Sequence, residues 1–535
     1  MEKSFHLLRR FFVLILITIT VTGVIIWRVA MSSYPEFSKK IVVIGIDALD
    51  YGLMKSFMSK GELPNFKKLE EQGSFSPLKT VCPPESVVVW TSFATGMRPG
   101  NHGIFDFIMR DPQKYLPFLS LADIPSVPQT LKLGSFRIPL SKASLTNRRK
   151  SPAFWRITTE RKVPTYIYFC PNTFPVERVY GKMLAGMGVP DIRGTMGTFS
   201  FYTTSALKKH KYRGGLVFHV EKENGVVSTF LYGPKDNSKT PPRDIKIPFL
   251  IKTGIKPDSL VVEIQDKRIF LEKGCWSKWI RVEFKISTLG VCEGICRFYL
   301  KGVEPDIELY CSPVNFDPGF ALLPITYPPD FSGKLAEKVG LFYTQGMPYD
   351  TWALNEDRID EGTFLEQAEY VLSEREKILK KELASFKGGV FFFYFQYPDP
   401  LQHMFLHFQN REDSPYRKTI LQCYKKMDNI LGWVMDNMAE DTTLMVLSDH
   451  GFGPFRRAVH LNTWLKENGF LYLKNSKNEG GEFFEDVDWS RTKAYALGFG
   501  GIYINQRGRE SAGVVSPVRE KERIKEEIAA KLSEW

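Results

Sequence analysis

Four short apolar runs, each closed by polar or turn-forming residues, frame this chain: Ile41–Ile46, Val163–Cys170, Gly389–Tyr394 and Leu444–Leu447. Continuous apolar runs of this length read as strands buried on both faces, the pattern of a parallel sheet in an α/β protein. Helical spacing lies between them. A helix is predicted from Pro64 through Leu69, with proline in its first turn. Another is predicted over Asp360–Phe386, acidic at its start and lysine-rich later, as the helix dipole prefers. Shorter helical patterns cover Thr463–Asn468 and, near the end, Ile524, Ile528 and Leu532.

From Tyr202 to Pro324 the pattern changes. Segments such as Gly215–Glu221, Val226–Tyr232, Ser259–Phe270, Ile280–Phe284 and Cys296–Leu300 are β-rich and separated by Gly, Pro, Asp and Asn. Strands at this spacing predict a small sandwich or barrel inserted into the α/β unit. The expected division is 1–40 as cytoplasmic tip, membrane segment and linker, 41–205 and 326–535 as the two parts of the α/β core, and 206–325 as the insertion. Phe11–Trp27 is an uncharged run of 17 residues preceded by Lys3, Arg9 and Arg10. It is short for a transmembrane helix and long for the core of a signal peptide, and Arg28-Val29-Ala30 makes a poor cleavage site. The expectation is an uncleaved signal-anchor, single-pass, with the Arg9-Arg10 end in the cytoplasm and the body outside the cell membrane.

Composition alters this picture little. With 43% hydrophobic and 25% charged residues the chain is ordinary globular protein. A formal charge of +12 invites nucleic acid or a membrane surface, but the densest basic clusters, Arg148-Arg149-Lys150 and Lys208-Lys209, are short. A solvated surface is expected, without nucleic-acid binding. The cysteines include no CxxC pair. An extracytoplasmic body would permit disulfides at Cys292/Cys296 or Cys275/Cys311, with buried free thiols as the alternative.

Candidate chemistry clusters where the apolar runs end. Asp47 follows the first run and Ser448-Asp449-His450 follows the last. Parallel sheets bind ligands beyond the carboxyl ends of their strands, and Asp and His both ligate cations such as zinc. The plainer alternative is that His450 caps a turn. Pro83-Pro84 forces a turn before Glu85-Ser86, which places Ser86 at the amino end of a new element, able to face an anion. Asp399 is the expected N-cap of a helix with Pro400 at its first position, which puts His403 one turn on and on the same face. A carboxylate and an imidazole at that spacing can grip one metal. His407 continues that face as a packing residue, and His102, Thr91 and Ser92 read as loop and helix support. His210 and His219, in the β-rich region, read as surface or packing residues. Gly186, Gly188, Gly194 and Gly197 surround Arg193, a candidate clamp for an anionic group, although such glycines also serve any convoluted loop.

These residues together carry a resemblance. Asp47 after a strand, Ser86 some forty residues on, the pattern TGxxPxxHGI at Thr95–Ile104, Asp399-x-x-x-His403 and Ser448-Asp449-His450-Gly451 resemble the alkaline phosphatase superfamily. More narrowly, the chain is similar to its type I phosphodiesterase/nucleotide pyrophosphatase branch over most of 41–205 and 326–535. The resemblance implies a central, mostly parallel sheet flanked by helices, and hydrolysis of a phosphate-ester small molecule or nucleotide through a phosphoserine at Ser86. It implies two divalent cations, zinc with manganese acceptable. Asp47, Asp449 and His450 would hold one together with Ser86; Asp399, His403 and a further histidine would hold the other. His460 is the substitute available for that histidine, which in the superfamily usually comes from nearer the carboxyl end. Because the sequence stops at Trp535 inside an amphipathic helical stretch, the expectation is a truncated chain whose last ligand lies beyond it. One departure stands out: Val89 occupies the position of the Asn that contacts the phosphoryl oxygen in that branch. Monoester or sulfate-ester hydrolysis and phosphoryl transfer therefore stay open on the same fold. The non-enzymatic alternative is an inactive, membrane-tethered binding protein.

Overall fold

The computed structural model describes residues 37–123, 130–133, 136–139, 145–207, 214–236, 239, 241–254, 256–287, 290–475 and 477–535. Phe11–Trp27, Lys208-Lys209 and His210 lie outside them. Among the described residues no helix is long and apolar enough to cross a membrane.

The core is a six-stranded sheet built from β1 (Lys40–Ile46), β2 (Thr165–Tyr168), β3 (Gly181–Leu184), β4 (Thr326–Tyr327), β5 (Gly389–Phe395) and β6 (Thr442–Leu447). Their order is β4-β3-β2-β5-β1-β6. Five strands run parallel and only β4 is antiparallel, at one edge. Phe391 to Phe395 are all buried, as the continuous apolar run requires of a strand with helices on both faces. Leu444–Leu447 departs from expectation. β6 pairs only with β1 and alternates between half-buried and exposed, with Met445 53% exposed. An edge position leaves part of an apolar strand in water, and length and apolarity alone do not reveal which strand takes it.

Helix α1 (Ser86–Thr95) packs on this sheet through Trp90, which is fully buried and meets Phe392 and Tyr394 edge-on at 5.8 and 5.2 Å. Gly45 of β1 makes room for it, since a Cβ there would lie 2.6 Å from the Trp90 ring. Helix α2 (Glu361–Leu383) is capped by Asp360, whose carboxylate accepts from Thr363 N, and ends with Lys380 and Lys381 in its last turn.

The β-rich region forms a mixed four-stranded sheet that includes Phe199–Thr203, a four-stranded antiparallel meander over residues 226–272, and a three-stranded sheet. They enclose a second apolar core, with Val227, Phe249, Ile251, Leu260, Phe284 and Leu309 among its buried members. This core is tied to α2: Trp279 Nε1 donates to Glu374 Oε1 at 2.8 Å, and the Arg297 guanidinium lies 3.7 Å from the centre of the Tyr370 ring. All seven cysteines are free thiols. Cys292 and Cys296 lie four residues apart on one strand, roughly 13 Å along it, too far to bridge. Near the carboxyl end, α4 (Leu461–Glu467), a hairpin of Ala494–Leu497 with Gly501–Ile504, and α5 (Arg519–Glu534) share a third core around Trp464, Tyr495 and Ile524.

Candidate active site

β5, β1 and β6 are adjacent and parallel, so their carboxyl ends open on the same side. Asp47 leaves β1 there, Asp449 and His450 leave β6, and helix α3 (Pro398–Phe405) follows β5. Three segments, the first lying hundreds of residues before the other two, thus deliver their polar side chains to one crevice. Ser86 enters from above as the first residue of α1, where its own amide and that of Val87 have no partner within the helix.

Ligand atoms of Asp47, Asp449 and His450 all lie within 4.8 Å of one another. Ser86 Oγ sits 3.2 Å from Asp47 Oδ1 and 3.2 Å from His450 Nε2. The orientation of His450 follows from its other nitrogen, which is 2.8 Å from Gly451 O. A carbonyl only accepts, so Nδ1 carries a proton and the ring turns Nε2 inward. That nitrogen faces Asp47 Oδ1 and Asp449 Oδ2, both at 3.4 Å. Asp449 Oδ2 is buried and accepts no hydrogen bond. Burial, followed by the Asp449 and Asp399 carboxylates, pushes the Asp47 carboxyl well above the usual range. Converging lone pairs and carboxylates with one oxygen unsatisfied are the surroundings a divalent cation requires, and this donor set fits one.

The structure also shows what aims these groups. Tyr394, at the end of β5, donates from its hydroxyl to Asp47 Oδ2. Asp449 Oδ1 accepts from Ala48 N at 3.2 Å, and Ser448 Oγ accepts from Leu49 N at 2.9 Å. Ala48 itself lies in the left-handed region at φ 58°, and its carbonyl accepts from Gln402 Nε2 at 2.7 Å. The sequence reading missed Tyr394. Its signal was a hydroxyl inside a strand otherwise made of phenylalanine, because a buried phenol needs a partner.

Asp399 and His403 form the second pair, with His403 Nε2 3.4 Å from Asp399 Oδ1. Burial alone would lower the His403 pKa, but its hydrogen bond and attraction to Asp399 raise it. Asp399 is not the N-cap. The helix starts at Pro398, behind Tyr397, so Asp399 falls within the first turn. Pro398 is itself suited to the first helical position, and it starts the helix before Pro400 is reached. His403 keeps the expected face and packs edge-on against Phe452 at 4.7 Å. His460 is exposed at the amino end of α4 and no contact brings it to Asp399 or His403. Among the described residues Asp47, Asp449 and His450 form the one group of three or more metal-type ligands.

Arg193 is engaged elsewhere. It donates to Gly233 O at 3.0 Å and to Asp244 Oδ1 at 3.3 Å, pinning the glycine-rich loop to the β-rich region. Gly186 in that loop abuts backbone: a Cβ there would lie 1.8 Å from Phe169 O. His102 is buried, with Nε2 2.9 Å from Ser92 Oγ and Nδ1 accepting from Ile104 N. Thr91 donates to Val87 O inside α1. His407 stacks beside Phe408, and His219 is exposed. Val89 lies on α1 three residues after Ser86, on the same face and half-buried.

A parallel sheet whose strand ends present a carboxylate–imidazole cluster beside a helix-start serine defines the chain as a hydrolase of the alkaline phosphatase superfamily. It belongs to the type I phosphodiesterase/nucleotide pyrophosphatase family, whose model matches residues 41–534. This family hydrolyses phosphate esters and is typically metal-dependent. No curated protein matches the chain individually.

Proposed function

We propose that this chain is a two-metal phosphodiesterase or pyrophosphatase that works through a phosphoserine at Ser86. The observation that carries the reading is Ser86 Oγ, held 3.2 Å from both Asp47 and His450 at the amino end of α1. Asp47, Asp449 and His450 would hold one divalent cation, zinc or manganese, and Asp399 with His403 would contribute to a second. Bound there, such ions lower the pKa of a coordinated hydroxyl and neutralise phosphoryl charge. Ser86 Oγ would release its proton to solvent and bond to phosphorus as the bond from phosphorus to the leaving ester oxygen breaks, that oxygen taking a proton from water. A second water would then cleave the Ser86 Oγ–phosphorus bond, restoring the hydroxyl and releasing the phosphate product. The first two amides of α1, those of Ser86 and Val87, would face the phosphoryl oxygens, where a helix start favours anions, while Val88 N and Val89 N are taken by Glu85 O. They serve in place of the missing Asn, because Val89 offers only methyl groups.

Val89 also keeps monoester hydrolysis, sulfate-ester hydrolysis and phosphoryl transfer open as a second reading. Turnover of a diester, a monoester and a sulfate ester side by side separates them. Phe11–Trp27 is proposed to anchor the chain with its body outside the membrane, which protease protection of sealed vesicles would test. For the chemistry, metal-loaded enzyme quenched during turnover should carry one phosphate on the peptide containing Ser86. Ser86→Ala should lose both the label and about 10³-fold or more in kcat. Full activity in that variant would sink the serine mechanism. Metal content should be about two per chain and fall separately in Asp399→Ala and Asp449→Ala.

A further inference from the structure

Two loops tethered to the catalytic residues carry aromatic side chains out into water. The first, residues 451–460, has no regular structure and begins at His450, and its Phe452 packs on His403. Beyond Phe452 it exposes Phe455 at 86% and Val459 at 57%. The second is the turn between Ala494–Leu497 and Gly501–Ile504, with Phe499 80% exposed at its tip. Phe499 N donates to Asp106 Oδ2 at 2.7 Å, and Asp106 shares a hydrogen bond with Glu85, the neighbour of Ser86. Phe105, beside Asp106, is also exposed. Single exposed apolar residues are ordinary, but Phe455 and Val459 lie in one irregular loop leading from His450 with polar and basic residues beside them, and apolar side chains grouped with a polar rim mark interaction surfaces.

Charge identifies the partner. Arg456 and Arg457 directly follow Phe455 and are exposed, and neither pairs with a carboxylate among the described residues. Exposed apolar tips beside unpaired guanidinium groups complement an anionic head-group layer, where rings enter the acyl boundary and arginines meet phosphates. Single-stranded nucleic acid also uses rings and arginines, but it needs a basic track along its backbone. These loops hold one arginine pair, and Val459 offers no ring to stack on.

We propose that the mouth of this site docks on an anionic phospholipid surface through Phe455, Phe499, Val459, Arg456 and Arg457. Resting on the hydrolase reading, the substrate is then a phosphate ester carried by a lipid at that surface. The test uses the full chain and phosphatidylcholine vesicles with and without phosphatidylserine, read by co-sedimentation. The phosphatidylserine-dependent part is compared between proteins, because Phe11–Trp27 is common to all of them. Phe455→Ser with Phe499→Ser, and separately Arg456→Gln with Arg457→Gln, should each weaken that part about tenfold or more. Their thermal midpoints should match the wild type, and the arginine effect should vanish at high salt. Wild-type-like binding by both double variants overturns the proposal. So does a wild type that prefers a single-stranded oligonucleotide to these vesicles in competition. A soluble chromogenic diester and a vesicle-borne phosphate ester are assayed in parallel: turnover of neither would remove the hydrolase reading and leave the vesicle result standing.

Discussion

The Tyr394 hydroxyl holds one oxygen of Asp47 in place and leaves the other to face Ser86 and His450. Its ring is fixed by Trp90, so Tyr394→Phe keeps the packing and removes only the bond. Partners of this kind orient metal ligands, and the variant should bind zinc roughly 10- to 100-fold more weakly with an unchanged fold. Titration calorimetry that finds equal affinity would end that assignment. His102 gives a pH prediction at the same scale. Burial, followed by the Arg149 guanidinium, lowers its pKa from 6.5 to about 4. The unfolded chain therefore takes up the proton first, so the His102 contribution is intact above 6.5 and is lost as pH falls from there towards 4. Urea unfolding at two pH values inside and above that window should show a smaller difference in His102→Gln than in the wild type.

At the scale of elements, α1 sets the position of Ser86 and the β1 surface sets the position of α1. Gly45→Ala would drive a methyl group into Trp90 and should cost about 1–3 kcal/mol of stability. Because the helix must shift to relieve the clash, kcat should fall along with the melting temperature. An unchanged melting temperature, or an unchanged kcat, would overturn this account. The helices and strands themselves were largely legible: Asp360 capping α2, Pro64 opening its helix and Ser86 starting α1 are local signals, readable from spacing and capping chemistry alone. The edge position of β6 and the start of α3 at Pro398 were not. The first depends on which strand neighbours which, and the second on a choice between two suitable prolines.

For the molecule as a whole, Asp47, Asp399 and Asp449 come together with no lysine or arginine beside them among the described residues, and burial with mutual repulsion works against folding until a cation arrives. Zinc or manganese at about 100 times its Kd should add roughly 2.7 kcal/mol, and a chelator should remove it. Asp449→Asn should melt higher than the wild type when both are metal-free, and it should lose the response to metal. Scanning calorimetry with and without chelator checks both outcomes. The gathering of Asp47, Asp449 and His450 was readable because each follows the end of a strand, and the Asp399–His403 pair because the two lie one helical turn apart. The diversion of Arg193 to Asp244 and the bond from Tyr394 to Asp47 were invisible, since each joins distant parts of the chain through folded geometry.

That separation has a temporal side. Asp449 grips the backbone of Ala48 across 401 residues of sequence. At ribosomal speeds the first strand waits roughly 20 to 80 s for its last neighbour to be made. For most of that interval, until β5 is made, an apolar β1 has no neighbour in its sheet and is exposed to wrong pairing. The same delay is a safeguard: a nascent chain released before residue 450 lacks His450 and cannot assemble the cluster with Asp47 and Asp449.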